Sequence, residues 1–166
     1  MNSISIEETA FPTFDDSQLQ SLVGIAECIR FEGEQELISH DQKDYPFFVI
    51  KSGVVRIVER DVDGERLIAT HGPRSFIGDV DMLTGRSSLF VAIANEQVEA
   101  FQLCSSQLRK LLNSCPSVSE MLLEAFQMRR KLLANRPFVG VRCIIHFSRL
   151  HKRMAKSSCK SWLQST

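Results

Sequence analysis

The sequence predicts a mainly β fold: a small antiparallel sandwich or barrel, with one helix before it and two after it. Three observations carry this. Between residues 25 and 103 short apolar runs alternate at a period of two, with turn signals between them at roughly 8–12-residue spacing. No stretch of crossover-helix length separates these runs, which disfavours a parallel, doubly wound sheet. After Leu103 the period changes to that of amphipathic helices.

In chain order, residues 11–24 read as a short helix led in by Phe11-Pro12, with Asp15 or Asp16 as cap and Leu19, Leu22 and Val23 at helical spacing. Ile25, Cys28-Ile29-Arg30-Phe31 and Glu36-Leu37-Ile38 read as short strands around a turn at Glu32-Gly33-Glu34. Phe47-Phe48-Val49-Ile50 and Val54-Val55-Arg56-Ile57-Val58 form a predicted hairpin across Lys51-Ser52-Gly53. The Asp63-Gly64 pair turns the chain into Arg66-Leu67-Ile68-Ala69-Thr70. Further strands are expected at 89–94 and 98–103. Ser105 or Ser106 is placed to cap a helix to about Leu112, and Ser117 with Glu120 to cap a longer one over 118–134. On this last helix Val118, Met121, Ala125, Met128 and Leu132 follow the alternating spacing of a helix-pairing seam, beside Leu122, Phe126 and Leu133. The pattern suits either one wide face on its own domain or a homodimer through the 118–134 helix.

One stretch, His71 to Ser88, concentrates polar chemistry. Gly72-Pro73 and Gly78 bring the chain off a strand, Asp79 precedes the apolar turn Val80-Asp81-Met82-Leu83, and Gly85-Arg86-Ser87-Ser88 makes a corner into the next strand. Backbone amides, a carboxylate and a guanidinium gathered this closely suit a small phosphorylated sugar, because an Arg grips phosphate through paired hydrogen bonds and a carboxylate accepts from sugar hydroxyls. The plainer readings are a surface Arg86 and an Asp79 that only caps the short helix.

Composition narrows the function classes. The formal charge is zero, but residues 1–124 hold all 20 acids with 10 of the bases, while 125–166 hold 10 Lys and Arg and no acid. That division places a boundary near the last helix. The N-terminus lacks a basic region followed by an apolar core, and no apolar run approaches the ~18 residues that span a bilayer, so the expected location is the cytoplasm. The five cysteines lack a Cys-x-x-Cys pair, and His71, His146 and His151 lack companions at ligand spacing. Reduced thiols, no metal, no covalently bound cofactor and no catalytic residue are therefore expected.

In this order, the fragments Phe31-x-Gly33, Phe47-Phe48-Val49-Ile50-x-Ser52-Gly53-x-Val55, Gly72-Pro73-x-x-Phe76-x-Gly78-Asp79, Arg86-Ser87-Ser88 and Phe126-x-x-Arg129-Arg130 resemble the cyclic-nucleotide-binding domain of catabolite activators, kinase regulatory subunits and gated channels. The resemblance implies a jelly roll over residues 11–134 that serves as a non-enzymatic sensor. Its ligand would be cyclic AMP or cyclic GMP. Amides around Gly78 and Ser87-Ser88 would meet the cyclic phosphate, Arg86 its charge and Asp79 the ribose hydroxyl, with the 118–134 helix closing over the base. Relative to the family, Asp79 stands where Glu is usual, and the interval from it to Arg86 is about two residues shorter. This trimmed cassette, with Gly140-Val141-Arg142 farther on, is similar to the domain that precedes thioredoxin-reductase-like flavoproteins. That similarity implies a reductase or other effector acting in trans.

The tail, 135–166, is basic and only weakly periodic. It reads as a solvated extension or as the truncated start of a following domain, with a strand at 139–147 and an inert Cys143. About 32 residues are too few for a winged helix-turn-helix, so a nucleic-acid partner is disfavoured. The alternative to a sensor is a scaffold that keeps the fold without the ligand.

Overall fold

The computed structural model describes residues 9–78 and 80–134, and the expectations for Asp79 and for the tail lie outside the described residues. Its elements are α1 (Asp16–Gln20), β1 (Glu27–Phe31), β2 (Glu36–Ile38), β3 (Phe47–Ser52), β4 (Val55–Asp61), β5 (Gly64–His71), β6 (Phe76–Ile77), α2 (Val80–Thr84), β7 (Val91–Ala94), β8 (Val98–Leu103), α3 (Ser105–Ser114) and α4 (Pro116–Ala134). The strands form two four-stranded sheets, ordered β1-β8-β3-β6 and β2-β7-β4-β5. Every described pairing is antiparallel. The expected mainly β architecture with flanking helices is present, but β3 and β4 do not form the expected hairpin: the chain crosses at Gly53 from one sheet to the other, so β3 pairs β8 and β6 while β4 pairs β5 and β7.

Why the sheets face each other follows from register. Val55 and Ile57 of β4 lie opposite Ala94 and Ala92 of β7, so these side chains share one face. Val55, Ala92 and Ala94 belong to the main core. Strand β3 is buried from Phe47 through Ile50, on both of its faces. Such a strand needs cover on each side. One side meets the opposite sheet. The same core takes in Leu108 and Leu111 of α3 and Val118, Leu122, Ala125 and Phe126 of α4. Helix α4 thus turns one wide face to its own domain, drawing Val118 and Ala125 from the expected pairing seam. Met121, Met128 and Leu132 are only half-buried.

The first helix is shorter than expected. Within 11–24 the α-helix is Asp16–Gln20, closed by a reciprocal cap in which Gln18 N donates to Asp15 Oδ1 (2.8 Å) and Asp15 N donates to Gln18 Oε1 (3.0 Å). Residues 11–15 are not helical: the Phe14 amide donates to the Arg74 carbonyl at 2.9 Å and its side chain is buried. The segment is a strap across the core.

Two caps also differ. Cys104, not Ser105 or Ser106, is the N-cap of α3, with its amide donating to Gln107 Oε1 at 2.8 Å. Helix α4 opens at Pro116, so Ser117 lies in the first turn. Proline suits this first position because it has no amide to leave unpaired. In the β4–β5 hairpin, Asp61 Oδ1 accepts from the amides of Asp63 (2.9 Å) and Gly64 (3.1 Å).

Candidate functional site

Phe76 anchors the polar stretch. Its ring stacks on Phe47 at 5.4 Å and meets Phe14 and Phe126 edge-on, each at 6.2 Å. Strap, sheet and α4 therefore converge on β6, immediately before the chain leaves it at Gly78. Glycine is required there. Its φ is +138°, and an added Cβ would lie 2.7 Å from Phe47 Cδ2.

Helix α2 is a single turn. Met82 is buried and Leu83 half-buried, holding the turn against the core. Gly85, at φ +73°, ends it in the left-handed conformation common after a helix C-terminus. That reversal carries Arg86 back over the turn. The Arg86 amide donates to the Asp81 carbonyl at 3.0 Å, and Arg86 Nη1 lies 3.5 Å from Asp81 Oδ1. The Arg86 side chain is 71% exposed.

Ser88 is held on every side. Its amide donates to the Gln42 carbonyl (3.0 Å), and its carbonyl accepts from the Asp41 amide (2.9 Å). Its hydroxyl donates to the Phe90 carbonyl (2.7 Å) and accepts from the Phe90 amide (3.3 Å). These bonds are why residues 89–90 bend and β7 begins only at Val91. Ser87 is half-buried beside it. The structure thus gathers Gly78, Arg86, Ser87 and Ser88 around one helical turn, while Asp79 lies outside the described residues.

Both C-terminal helices hold this turn. Arg109 of α3 donates through Nη2 to the Leu83 carbonyl at 3.0 Å, near the end of α2. Arg129 of α4 donates through Nη1 to the Gly78 carbonyl at 2.9 Å, just ahead of α2. Its Nε donates to the Ala10 carbonyl at 2.8 Å. The same guanidinium lies 4.2 Å from the centre of the Phe76 ring and 5.0 Å from that of Phe11. An arginine suits this place because its fork serves two carbonyls while its plane rests on rings.

In the sequence Arg129 stands out only within the Phe126-x-x-Arg129-Arg130 fragment, and no motif there assigns Asp81 or Arg109 a role at the site. Asp81 had a legible signal, a carboxylate five positions before an Arg with a glycine between. The bond of Arg109 to residue 83 had none.

The turn before β6 contains a left-handed residue that is not glycine, Arg74 (φ +70°). A non-glycine pays a steric cost there, offset by anchoring: Arg74 N donates to the Ile50 carbonyl (2.7 Å), and Nη2 bonds Asp16 Oδ1 (2.5 Å). His71 is buried, its ring 5.9 Å from that of Phe11.

A groove of about 350 Å³ runs between the strap and the start of α4, lined by Thr9, Pro12, Ser117, Glu120, Met121 and Glu124. None of the polar-stretch residues lines it, and its two carboxylates would repel a phosphate. No group of three or more His, Cys, Asp or Glu suited to a metal occurs among the described residues. No helix among them is long and apolar enough to cross a membrane.

Comparison with known proteins gives this geometry a context. No curated protein sequence matches. Among solved structures, the N-terminal domain of a transcriptional regulator from Streptomyces coelicolor is 22% identical, with a TM-score of 0.58 over 81% of this chain and 97% of that one. The catabolite activator protein of Thermus thermophilus is 17% identical, with a TM-score of 0.58 over 89% of this chain and 63% of that one. The regulatory subunit of a cAMP-independent protein kinase A from Trypanosoma brucei is 19% identical, with a TM-score of 0.55 over 72% and 46%. At these identities the likeness is one of fold. The sequence profile of the cyclic nucleotide-binding domain matches residues 28–115. Because that match spans more than half of the 166 residues, the chain belongs to the cyclic nucleotide-binding domain family.

Proposed function

We propose that residues 11–134 are a non-catalytic sensor module in which cyclic AMP or cyclic GMP binds at the turn between β6 and β7 and biases α3 and α4. Backbone amides near Gly78 and Ser87-Ser88 meet the cyclic phosphate, Arg86 pairs with its charge, and Asp79 accepts from the ribose. The observation that carries this reading is the pair of bonds from Arg109 to Leu83 and from Arg129 to Gly78. Any ligand that displaces the turn changes the footing of both helices. A ligand shifts such an equilibrium only by its differential affinity for the two helix positions.

Calorimetry with both nucleotides tests it. The wild type is expected to bind and Arg86→Ala to lose about tenfold to hundredfold, the worth of one charged hydrogen bond. No heat at millimolar ligand contradicts the proposal.

A ligand-free scaffold is the second reading. The Asp81 carboxylate beside Arg86 and the fully engaged Ser88 favour it, and the Trypanosoma brucei relative is described as part of a cAMP-independent kinase. A saturable rise in melting temperature with nucleotide argues against it, since ligand that binds only the folded chain must stabilise it. The trimmed cassette keeps a thioredoxin-reductase-like partner in trans as a candidate effector.

A further inference from the structure

The Arg86 guanidinium has an internal partner. Shortening α2 to one turn, followed by the left-handed Gly85, returns Arg86 to the residue five positions before it. Asp81 is tied to this place three times over. Its carbonyl accepts from the Arg86 amide (3.0 Å) and from Thr84 Oγ1 (3.0 Å), and its carboxylate lies 3.5 Å from Arg86 Nη1. The Asp81 side chain is only 31% exposed, so the backbone and partial burial keep its charge near the arginine. The Ser88 corner is pinned to Asp41 and Gln42, which fixes the other side of Arg86.

We infer that Asp81 is a built-in competitor for the anion subsite at Arg86, so that the affinity of the cassette is set by an exchange of a carboxylate for a ligand phosphate. The inference rests on the nucleotide-binding reading and adds a specificity-determining residue to it. A phosphate reaching Arg86 meets a guanidinium whose charge is already partly compensated and whose neighbour carries a like charge to the ligand. The pair is solvent-exposed, so its hold is modest. Removing the carboxylate strengthens binding by about twofold to fivefold, in line with exposed ion pairs.

The experiment titrates cyclic AMP and cyclic GMP into the wild type, Asp81→Asn, Arg86→Ala and the double variant, with Asp61→Asn at the far hairpin as a control for overall charge. Asp81→Asn keeps the shape of the side chain, and Asp81→Ala checks that the new amide adds no ligand contact of its own. The expected result is tighter binding by Asp81→Asn and Asp81→Ala, no gain from Asp61→Asn, and no gain from Asp81→Asn once Arg86 is Ala. Equal affinity of wild type and Asp81→Asn overturns the inference and leaves the binding reading intact. A gain that persists without Arg86, or that Asp61→Asn reproduces, overturns it too, because the effect is then one of net charge. Absence of binding by every variant overturns the nucleotide-binding reading and this inference with it.

Discussion

At the scale of single residues, the two that hold the turn ahead of α2 do so by different physics. Gly78 is there for what it lacks. In Gly78→Ala the methyl group meets Phe47 at 2.7 Å on a backbone at φ +138°. The expected loss is about 2–5 kcal/mol from strain and overpacking together, read by urea unfolding. Arg129 is there for its fork. Arg129→Ala removes two charge-assisted bonds and leaves the Gly78 and Ala10 carbonyls to find other partners. A loss of about 2–3 kcal/mol is expected, and Arg129→Lys should recover less than half of it, because one ammonium cannot serve both carbonyls and lie on Phe76. Full recovery by Lys would contradict this geometry. Gly78 was legible in the sequence, since a glycine after a strand and before an acid marks a turn. The role of Arg129 was not: its bond to Ala10 joins residues 119 apart, and no periodicity encodes such a pair.

Among the elements, α4 shows how a helical pattern underdetermines its partner. Seam and flank were both visible in the sequence, but their division between the barrel and another helix was not. The core takes Val118 and Leu122 and leaves Leu123 52% exposed. Leu122→Ala should therefore cost about 2–5 kcal/mol, and Leu123→Ala less than about 0.5 kcal/mol, by thermal or urea unfolding. Similar losses at the two sites would mean that Leu123 is covered, as in a helix-paired dimer. The strands were legible because a period of two survives in short runs, but the pairing of β3 with β4 was not, and the spacing of Leu19, Leu22 and Val23 suggested a longer helix than Asp16–Gln20. What separates strap from helix is the Phe14–Arg74 backbone bond across 60 residues, and Arg74 in turn depends on a left-handed backbone that its residue type does not announce.

For the whole molecule, the surface charges set how stability responds to acid. Bonds from Ser39 and then Arg60 hold the Glu36 carboxyl below its ordinary value. The Arg30 bond, with help from Lys51, does the same for Glu99. A carboxyl whose folded pKa is depressed contributes stability that is present above its unfolded value and is lost as pH falls through the folded value. Stability is thus expected to be flat with respect to these two groups above about pH 5 and to decline below about pH 4.5. Both pairs face solvent, so screening keeps their contributions small. Melting curves of Glu36→Gln and Glu99→Gln against pH check this, and both variants should show a shallower acid decline than the wild type. The two-sheet fold was readable from strand spacing, and the ordered fragments pointed to the family. Ligand binding was less readable, because it depends on where the Arg86 and Asp81 charges settle in space. A nucleotide at the β6–β7 turn is expected to be felt by the helices bonded to that turn. Amide hydrogen exchange with and without saturating cyclic AMP or cyclic GMP tests it most directly. Changed protection is expected both in residues 80–88 and in α4 around Arg129 for the wild type, and in Arg86→Ala the same change should need about tenfold to hundredfold more ligand. Unchanged exchange in the wild type, or a change confined to the turn with α3 and α4 unaffected, would contradict it.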